Sequence, residues 1–213
     1  MGIKERKERE KTMRRQLIQN AAKEVFLVKG LKSATMEDIA NQAELSPSAI
    51  YSYFRTKEDL YASLNLITLE YLHKQVSDIY NDQNLSVEGK ILEFKDAMYR
   101  TFKYDPIILK NIFRVQLEDS YSSLSPKTIG AINRLAHRVM CMFKDVYEEG
   151  VREGIFRPGH GMAHAEIMWS IFAGLVLWEE GKRKTKPDKD FLKPTLSRAF
   201  DVFLSGLKNN VSD

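Results

Sequence analysis

Apolar residues recur every three or four positions along most of the chain, and no stretch shows the convincing alternation of a half-buried strand. The spacing therefore predicts an all-α fold of about nine helices. Gly, Pro, Ser and Asp occupy most of the breaks between them. The predicted helices cover residues 13–29, 36–43, 46–54, 56–76, 87–102, 105–117, 126–153, 162–182 and 191–208.

Two of the short helices begin with recognisable start signals. Thr35 is a suitable N-cap, and Asp38 three residues later completes a capping box. Ser46 caps the next helix, and Pro47 takes the first helical position, where its missing N–H costs nothing. Two short helices joined by a tight turn describe a helix-turn-helix, whose second helix normally enters the DNA major groove. The predicted inner face consists of Met36, Ile39, Ala40, Ala43, Ile50 and Phe54.

Residues 30–40, 43–46 and 50–60 together resemble the DNA-binding domain of the TetR family of bacterial transcriptional regulators. The match runs without a gap from about residue 14 to residue 64, and elsewhere it rests on length and helical pattern. The resemblance implies a three-helix DNA-binding domain followed by a larger helical domain that binds a ligand and forms a homodimer. We therefore expect an arm at 1–12, a DNA-binding domain at 13–60 and a ligand-binding and dimerisation domain at 61–213.

The resemblance also implies how the first domain contacts DNA. Thr35 should contact a phosphate at the start of its helix. Pro47 and Ser48 should approach bases, while Tyr51 and Tyr53 should contact the backbone. The predicted DNA-binding residues are Thr35, Ser46, Pro47, Ser48, Tyr51, Ser52, Tyr53 and Lys57.

The sequence departs from the family pattern at two places. The turn usually contains Gly, and this chain has Glu44, which we expect to adopt a positive φ at a cost of about 1 kcal/mol. Between Ser46 and Phe54 there is no Arg, Lys, Asn or Gln, the usual bidentate readers of bases. We therefore predict that specificity depends on hydroxyl and apolar contacts and on DNA shape.

Basic charge is concentrated near the N-terminus. Residues 1–57 contain 12 Lys/Arg and 7 Asp/Glu, a net of +5, whereas the whole chain carries +4. Attraction of DNA phosphates requires such a distribution, although a solvated face would show it too. Residues 1–12 alternate Lys, Arg and Glu with almost no apolar group, which predicts a frayed helix extension or a mobile arm. Such an arm could reach the phosphate backbone or minor groove, or remain a solvated tail.

The larger domain offers apolar side chains that could line a ligand pocket, although the same spacing describes a plain core. A ligand bound there should be largely apolar. The helix at 162–182 is apolar nearly all round, so it must be buried on more than one side, and with the last helix it suits a dimer interface. The predicted pocket residues are Phe94, Met98, Phe102, Phe113, Met142, Phe143, Met168, Trp169 and Phe172, and the predicted interface residues are Ile171, Leu175, Trp178, Leu196, Phe200, Phe203 and Leu207.

Two residue pairs could suggest other chemistry. His137 and Cys141 are one helical turn apart, as are His160 and His164. No third orienting residue, Cys pair or phosphate-binding glycine loop accompanies them. We therefore expect no catalysis, no metal and no cofactor.

Composition also bears on location. A single cysteine excludes an internal disulfide and agrees with a reducing cytoplasm. The first residues lack the apolar segment of a signal peptide. The apolar run at 167–178 is shorter than the about 20 residues that span a bilayer. We expect a cytoplasmic protein without a membrane partner.

These features predict a dimeric transcriptional repressor that binds a palindromic double-stranded DNA operator. A small, largely apolar ligand should release it from the operator. The alternative is an architectural or division-linked DNA-binding protein on the same fold, without a small-molecule effector.

Overall fold

The structure is a computed structural model, which describes residues 2–106, 125–183 and 190–209. Within those residues it contains eight helices and no strand, and an isolated antiparallel bridge joins Phe156 to Lys208. The all-α prediction is confirmed. Most of the predicted helix at 105–117, including pocket candidate Phe113, lies outside the described residues. The helices are α1 (Ile3–Ser33), α2 (Met36–Gln42), α3 (Pro47–Tyr51), α4 (Lys57–Asn81), α5 (Val87–Tyr104), α6 (Pro126–Arg152), α7 (Gly161–Arg183) and α8 (Leu192–Leu207).

Helix α1 begins ten residues earlier than the apolar pattern predicts. Its first turns consist of Lys, Arg and Glu, which are good helix formers, and Arg6 Nε lies 3.0 Å from Glu10 Oε1 one turn later. Of the two alternatives for residues 1–12, the structure shows the helical extension. At Gly30 the backbone has φ 73° and ψ 162°, so α1 is kinked there before it ends at Ser33.

The described residues divide into two compact units, and the division falls inside α4, between Ile67 and Thr68. The first unit contains the residues up to Ile67 and a short piece that ends at Ala131. All six residues of the predicted inner face are buried, which confirms that prediction. A buried hydrogen bond from Gln19 Nε2 to Ser63 Oγ (2.9 Å) joins α1 to α4.

The second unit is built around a cluster of aromatic and aliphatic side chains from α4 to α8. Phe94, Phe143, Phe172 and Phe200 are almost completely buried in it. Burial of such residues is the main source of folding free energy, at roughly 25 cal/mol per Å² of apolar surface. The second unit is therefore held mainly by apolar packing.

Helix α7 is longer and more apolar than expected for a core helix. It has 23 residues, and its most apolar 18-residue window has a mean hydropathy of 1.3, enough by length and composition to cross a membrane. The run at 167–178 is bounded by Glu166 and Glu179, but residues 161–165 add further small and apolar side chains, so the expectation that this stretch is too short does not hold for the helix as a whole. However, Met168, Phe172 and Val176 on its inner face are buried in the second unit, as in the core helix of a globular protein.

Candidate nucleic-acid interface

The start of α2 is held by hydrogen bonds among three side chains. The amide of Asp38 donates to Thr35 Oγ1 (3.1 Å), and the amide of Thr35 donates to Asp38 Oδ2 (3.0 Å), so the predicted capping box is confirmed. Lys29 Nζ donates to the other oxygen, Oδ1, at 2.6 Å. The hydrogen bond from Lys29, followed by those from Thr35, lowers the pKa of the Asp38 carboxyl. Lys29 thus joins the end of α1 to the cap of α2.

The turn between α2 and α3 contains the strained residue that the sequence predicts. Glu44 has φ 53°, in the left-handed region that favours glycine. Its neighbours close the turn, since the amide of Leu45 donates to Ala40 O (2.9 Å) and that of Ala43 to Ile39 O (2.9 Å). These bonds define the angle at which α3 leaves α2.

Helix α3 is shorter than predicted, with five residues from Pro47 to Tyr51. The cap is confirmed, because the amide of Ala49 donates to Ser46 Oγ (3.3 Å). The predicted continuation to residue 54 was wrong, because a tighter turn follows, in which the amide of Tyr53 donates to Ile50 O (2.9 Å). A helix this short is not stable alone, so it depends on its N-cap and on the burial of Ile50.

The side chains around α3 form an exposed polar and aromatic surface. Ser46, Pro47, Ser48, Tyr51 and Ser52 are exposed, as is Thr35, while Tyr53 is half-buried. Ser52 Oγ donates its proton to Ala49 O (2.7 Å), so its oxygen remains as an acceptor. Ser46 Oγ and Ser48 Oγ lie 3.0 Å apart, so one of the two hydroxyls donates to the other. Acceptor oxygens of this kind suit the amino groups of adenine and cytosine in the major groove.

Lys57, a predicted phosphate ligand, contacts the protein backbone in this structure. Its Nζ donates to Ala34 O (2.8 Å) and lies 3.3 Å from Lys32 O. These two carbonyls belong to the corner between α1 and α2. Of the three ammonium protons, one remains for an external acceptor.

Two further side chains, Arg15 and Asp59, hold the helices around this interface together. The guanidinium of Arg15 lies 4.2 Å from the centre of the Phe54 ring. Partial burial lowers the Arg15 pKa, an effect that attraction to Asp59 opposes. Asp59 Oδ1 also accepts a hydrogen bond from the amide of Ser125 (3.1 Å). Lys29, the last residue of the predicted first helix, and Asp59, three residues after Thr56, had a signal in their positions, whereas Arg15 had none.

The predicted ligand-pocket residues that are described lie in the core of the second unit. Phe94, Met98, Phe102, Phe143, Met168 and Phe172 are buried, and Met142 and Trp169 are half-buried beside them. Phe143 and Met168 border a cavity of about 10 Å³, room for at most one water molecule. The pocket therefore stays a prediction.

The predicted dimer residues fall into two groups. Trp178 is 66% exposed, and Ile171, Leu175 and Phe203 are half-buried. The structure instead places Leu196, Phe200 and Leu207 in the core, because the apolar stripe of α8 is used inside its own unit. Periodicity alone does not say which side of a stripe is covered, and three further apolar residues of α7 and α8 are exposed: Ile167, Leu177 and Val202.

In each of the two residue pairs considered for other chemistry, the two members lie close to one another. Cys141 Sγ lies 3.4 Å from His137 Nε2 on an exposed face of α6. His160 Nδ1 accepts the amide of Ala163 (3.1 Å), and His164 Nδ1 contacts His160 O (3.0 Å), so both rings are used at the start of α7. Within the described part of the chain, no group of three or more His, Cys, Asp or Glu could hold a metal.

A capped helix-turn-helix with an exposed second helix is the arrangement with which many DNA-binding proteins place a helix in the major groove. Residues 18–64 match the family model for bacterial regulatory proteins of the tetR family. Over 199 residues the chain is 24% identical to the HTH-type transcriptional regulator YhgD of Bacillus subtilis (strain 168), a match that covers 92% of this chain and 98% of that one. These matches support a TetR-family transcriptional regulator, with the family's DNA-binding domain at residues 18–64.

Solved structures share this fold along most of their length. The TetR-family regulator PfmR from Thermus thermophilus is 21% identical with a TM-score of 0.71, covering 91% of this chain and 99% of that chain. The regulator FadR from Bacillus subtilis, in complex with stearoyl-CoA, is 19% identical with a TM-score of 0.70, covering 90% and 98%.

Proposed function

We propose that the protein is a homodimeric repressor that binds a palindromic operator through α3 and acts on DNA in the cytoplasm. The observation that carries this proposal is the exposed surface around α3, which is presented by two capped helices and contains no other evident function. Ser48, Tyr51 and Ser52 contact the operator, with Thr35 at the phosphate backbone. Since α3 offers no bidentate reader of a base, DNA shape contributes much of the specificity.

The proposed dimer uses the exposed apolar face of α7 and α8. Ile167, Leu177 and Trp178 lie on α7 and Val202 on α8, each more than two-fifths exposed. Apolar groups in such a patch indicate a surface that a partner covers. A two-fold dimer uses the same patch on both copies and presents two α3 helices to successive major grooves, about 34 Å apart.

The proposed effector is a small, largely apolar molecule that binds the second unit. The supporting observations are the aromatic and Met-rich residues of its core and the solved complex of FadR from Bacillus subtilis with stearoyl-CoA. Helix α4 contributes residues to both units, so a ligand-dependent change in its position would alter the spacing of the two α3 helices. Binding to the state with the wrong spacing lowers the affinity for the operator.

Selection from a random duplex library at physiological salt tests this proposal. We expect enrichment of a palindrome whose half-sites are about one helical turn apart. Trp178→Glu places a charge in the proposed interface, so it should give a folded monomer that has lost operator binding. Lys74→Glu, an exposed substitution on α4, is the matched control. Binding without any enriched sequence would contradict the proposal.

Six of the described pocket candidates are buried core residues, which favours one alternative, an architectural or division-linked DNA-binding protein without an effector. Native mass spectrometry of the purified protein, followed by an operator-release assay with any co-purified molecule, separates the two. A bound apolar molecule that releases DNA supports the repressor. A palindrome-binding protein that no extracted molecule releases supports the alternative.

A further inference from the structure

A row of four basic residues lies along one face of the N-terminal half of α1. Lys4, Lys7, Lys11 and Arg14 are spaced by three, four and three residues, which places them on one side of a helix. The helix is continuous through this part of the chain, so the row is a property of the folded unit. The capped helix-turn-helix does not need these residues for its own hydrogen bonds.

This basic row forms one wall of a groove in the first unit. The groove has a volume of about 1080 Å³ and is lined on the α1 side by Lys7, Lys11 and Arg14. Ser52 and Tyr53, from the end of the proposed DNA-contacting surface, line the opposite wall. The groove is therefore continuous with the surface that meets the operator.

The groove carries an excess of positive charge, because one of its two carboxylates is neutralised by an ion pair. Glu10 on the α1 wall is paired with Arg6 at 3.0 Å, and the remaining carboxylate is that of Glu44 in the turn. Lys7, Lys11 and Arg14 are exposed, and among the described residues none of these three has an ion-pair partner. Three unpaired cations therefore face one carboxylate across the groove.

We propose that a sugar–phosphate strand of the operator lies in this groove, with Lys7, Lys11 and Arg14 contacting successive phosphates. This inference rests on the proposed function and identifies a contact beyond the helix-turn-helix. From Lys7 to Arg14 the helix advances by seven residue steps, about 10 Å at 1.5 Å per step. One strand of DNA carries about three phosphates over that axial length, since they are about 3.4 Å apart along the axis.

Such contacts supply affinity without reading sequence. Neutralising a phosphate releases condensed counterions, and each contact adds about 0.9 to the slope of log affinity against log salt concentration. This contribution would offset the lack of Arg, Lys, Asn and Gln on α3. The preferred operator sequence would still depend on the residues around α3.

The test compares two triple variants in operator binding between about 0.05 and 0.3 M salt. K7Q/K11Q/R14Q removes the groove cations, and K74Q/K103Q/R152Q removes the same charge from exposed positions on α4, α5 and α6. The dimer has two such grooves and loses six phosphate contacts, so we expect the groove variant to reduce the salt slope by about five and the control variant to leave it unchanged. A slope reduction of five corresponds to a loss of about 10⁵-fold at 0.1 M salt, if both proteins bind equally at 1 M.

The outcomes separate this inference from the proposed function. If the wild-type protein selects no operator, the proposed function fails. If the wild-type protein binds and the groove variant retains its salt slope, only the groove inference is overturned. The selected sequence should be the same for wild type and groove variant, and a changed sequence would also count against a backbone contact.

Chemical labelling gives a second readout that needs no substitution. Lysine acetylation of the wild-type protein, followed by digestion and mass spectrometry, should show Lys7 and Lys11 protected by the operator duplex. Lys74 and Lys103 should react equally with and without DNA. Equal reactivity of Lys7 and Lys11 in both conditions would overturn the proposal.

Discussion

The short helix α3 and the apolar helix α7 are held in place by different interactions. Helix α3 has five residues and depends on the Ser46 cap, the positive φ of Glu44 and the buried side chain of Ile50. Helix α7 has 23 residues and depends on apolar packing around residues such as Phe172. A short exposed element is thus controlled by single polar groups, whereas a long one is controlled by the apolar area it buries.

The largest effect is expected from Phe172→Ala in the second unit. The ring is completely buried, so its removal leaves a cavity and should lower the free energy of unfolding by about 3–5 kcal/mol. Phe172→Leu, which keeps most of the volume, should cost less than about 1.5 kcal/mol. Chemical denaturation at fixed protein concentration measures both. A loss below about 1 kcal/mol for the alanine variant would show that apolar packing is not what holds α7.

A smaller loss is expected from Gly150→Ala at the end of α6. A methyl group there would overlap the buried ring of Phe156. The backbone amide of Phe156 donates to Gly150 O (3.0 Å), which holds the two residues close together. Overpacking of this kind costs about 1–3 kcal/mol. Gly181→Ala meets open space in α7, so it should instead raise stability by about 0.5–1 kcal/mol. Thermal unfolding measures the stability of both variants. Equal changes in stability would contradict the expected overlap with Phe156.

Thr35→Ala should weaken the first unit by about 1 kcal/mol, because it removes the cap of α2. Thr35→Ser keeps the hydroxyl and should retain most of the stability. Amide hydrogen exchange in α2 reports this local change. If exchange in the alanine variant matches that of the serine variant, the capping box is not what stabilises α2.

The smallest effect is a gain from Glu44→Gly. Glycine adopts the observed φ of 53° without strain, so we expect a stabilisation of a few tenths to about 1 kcal/mol. Glu37→Gly, in the exposed part of α2, should lose about 1 kcal/mol instead. Denaturation curves of the two variants should shift in opposite directions. Shifts in the same direction would mean that the turn is not strained.

The comparison of α3 with α7 also explains which features could be predicted. The caps at Thr35 and Ser46 and the positive φ at Glu44 involve groups within four residues of one another, so their spacing in the sequence was sufficient. The ends of α1 and α3 were less predictable, because charged residues extend a helix without an apolar pattern and a tight turn can replace its last residues. No local pattern indicated that Arg15 would lie over Phe54.

The sequence by itself determined the all-α class, the helix-turn-helix and the inner face of the first unit, since these follow from local hydrogen bonds and helical spacing. Only the tertiary structure decided that Lys57 donates to the corner between α1 and α2 and that Phe200 is buried while Trp178 is exposed. A broad apolar stripe is compatible with several orientations of a helix. The side that becomes buried depends on neighbouring helices that are distant in sequence.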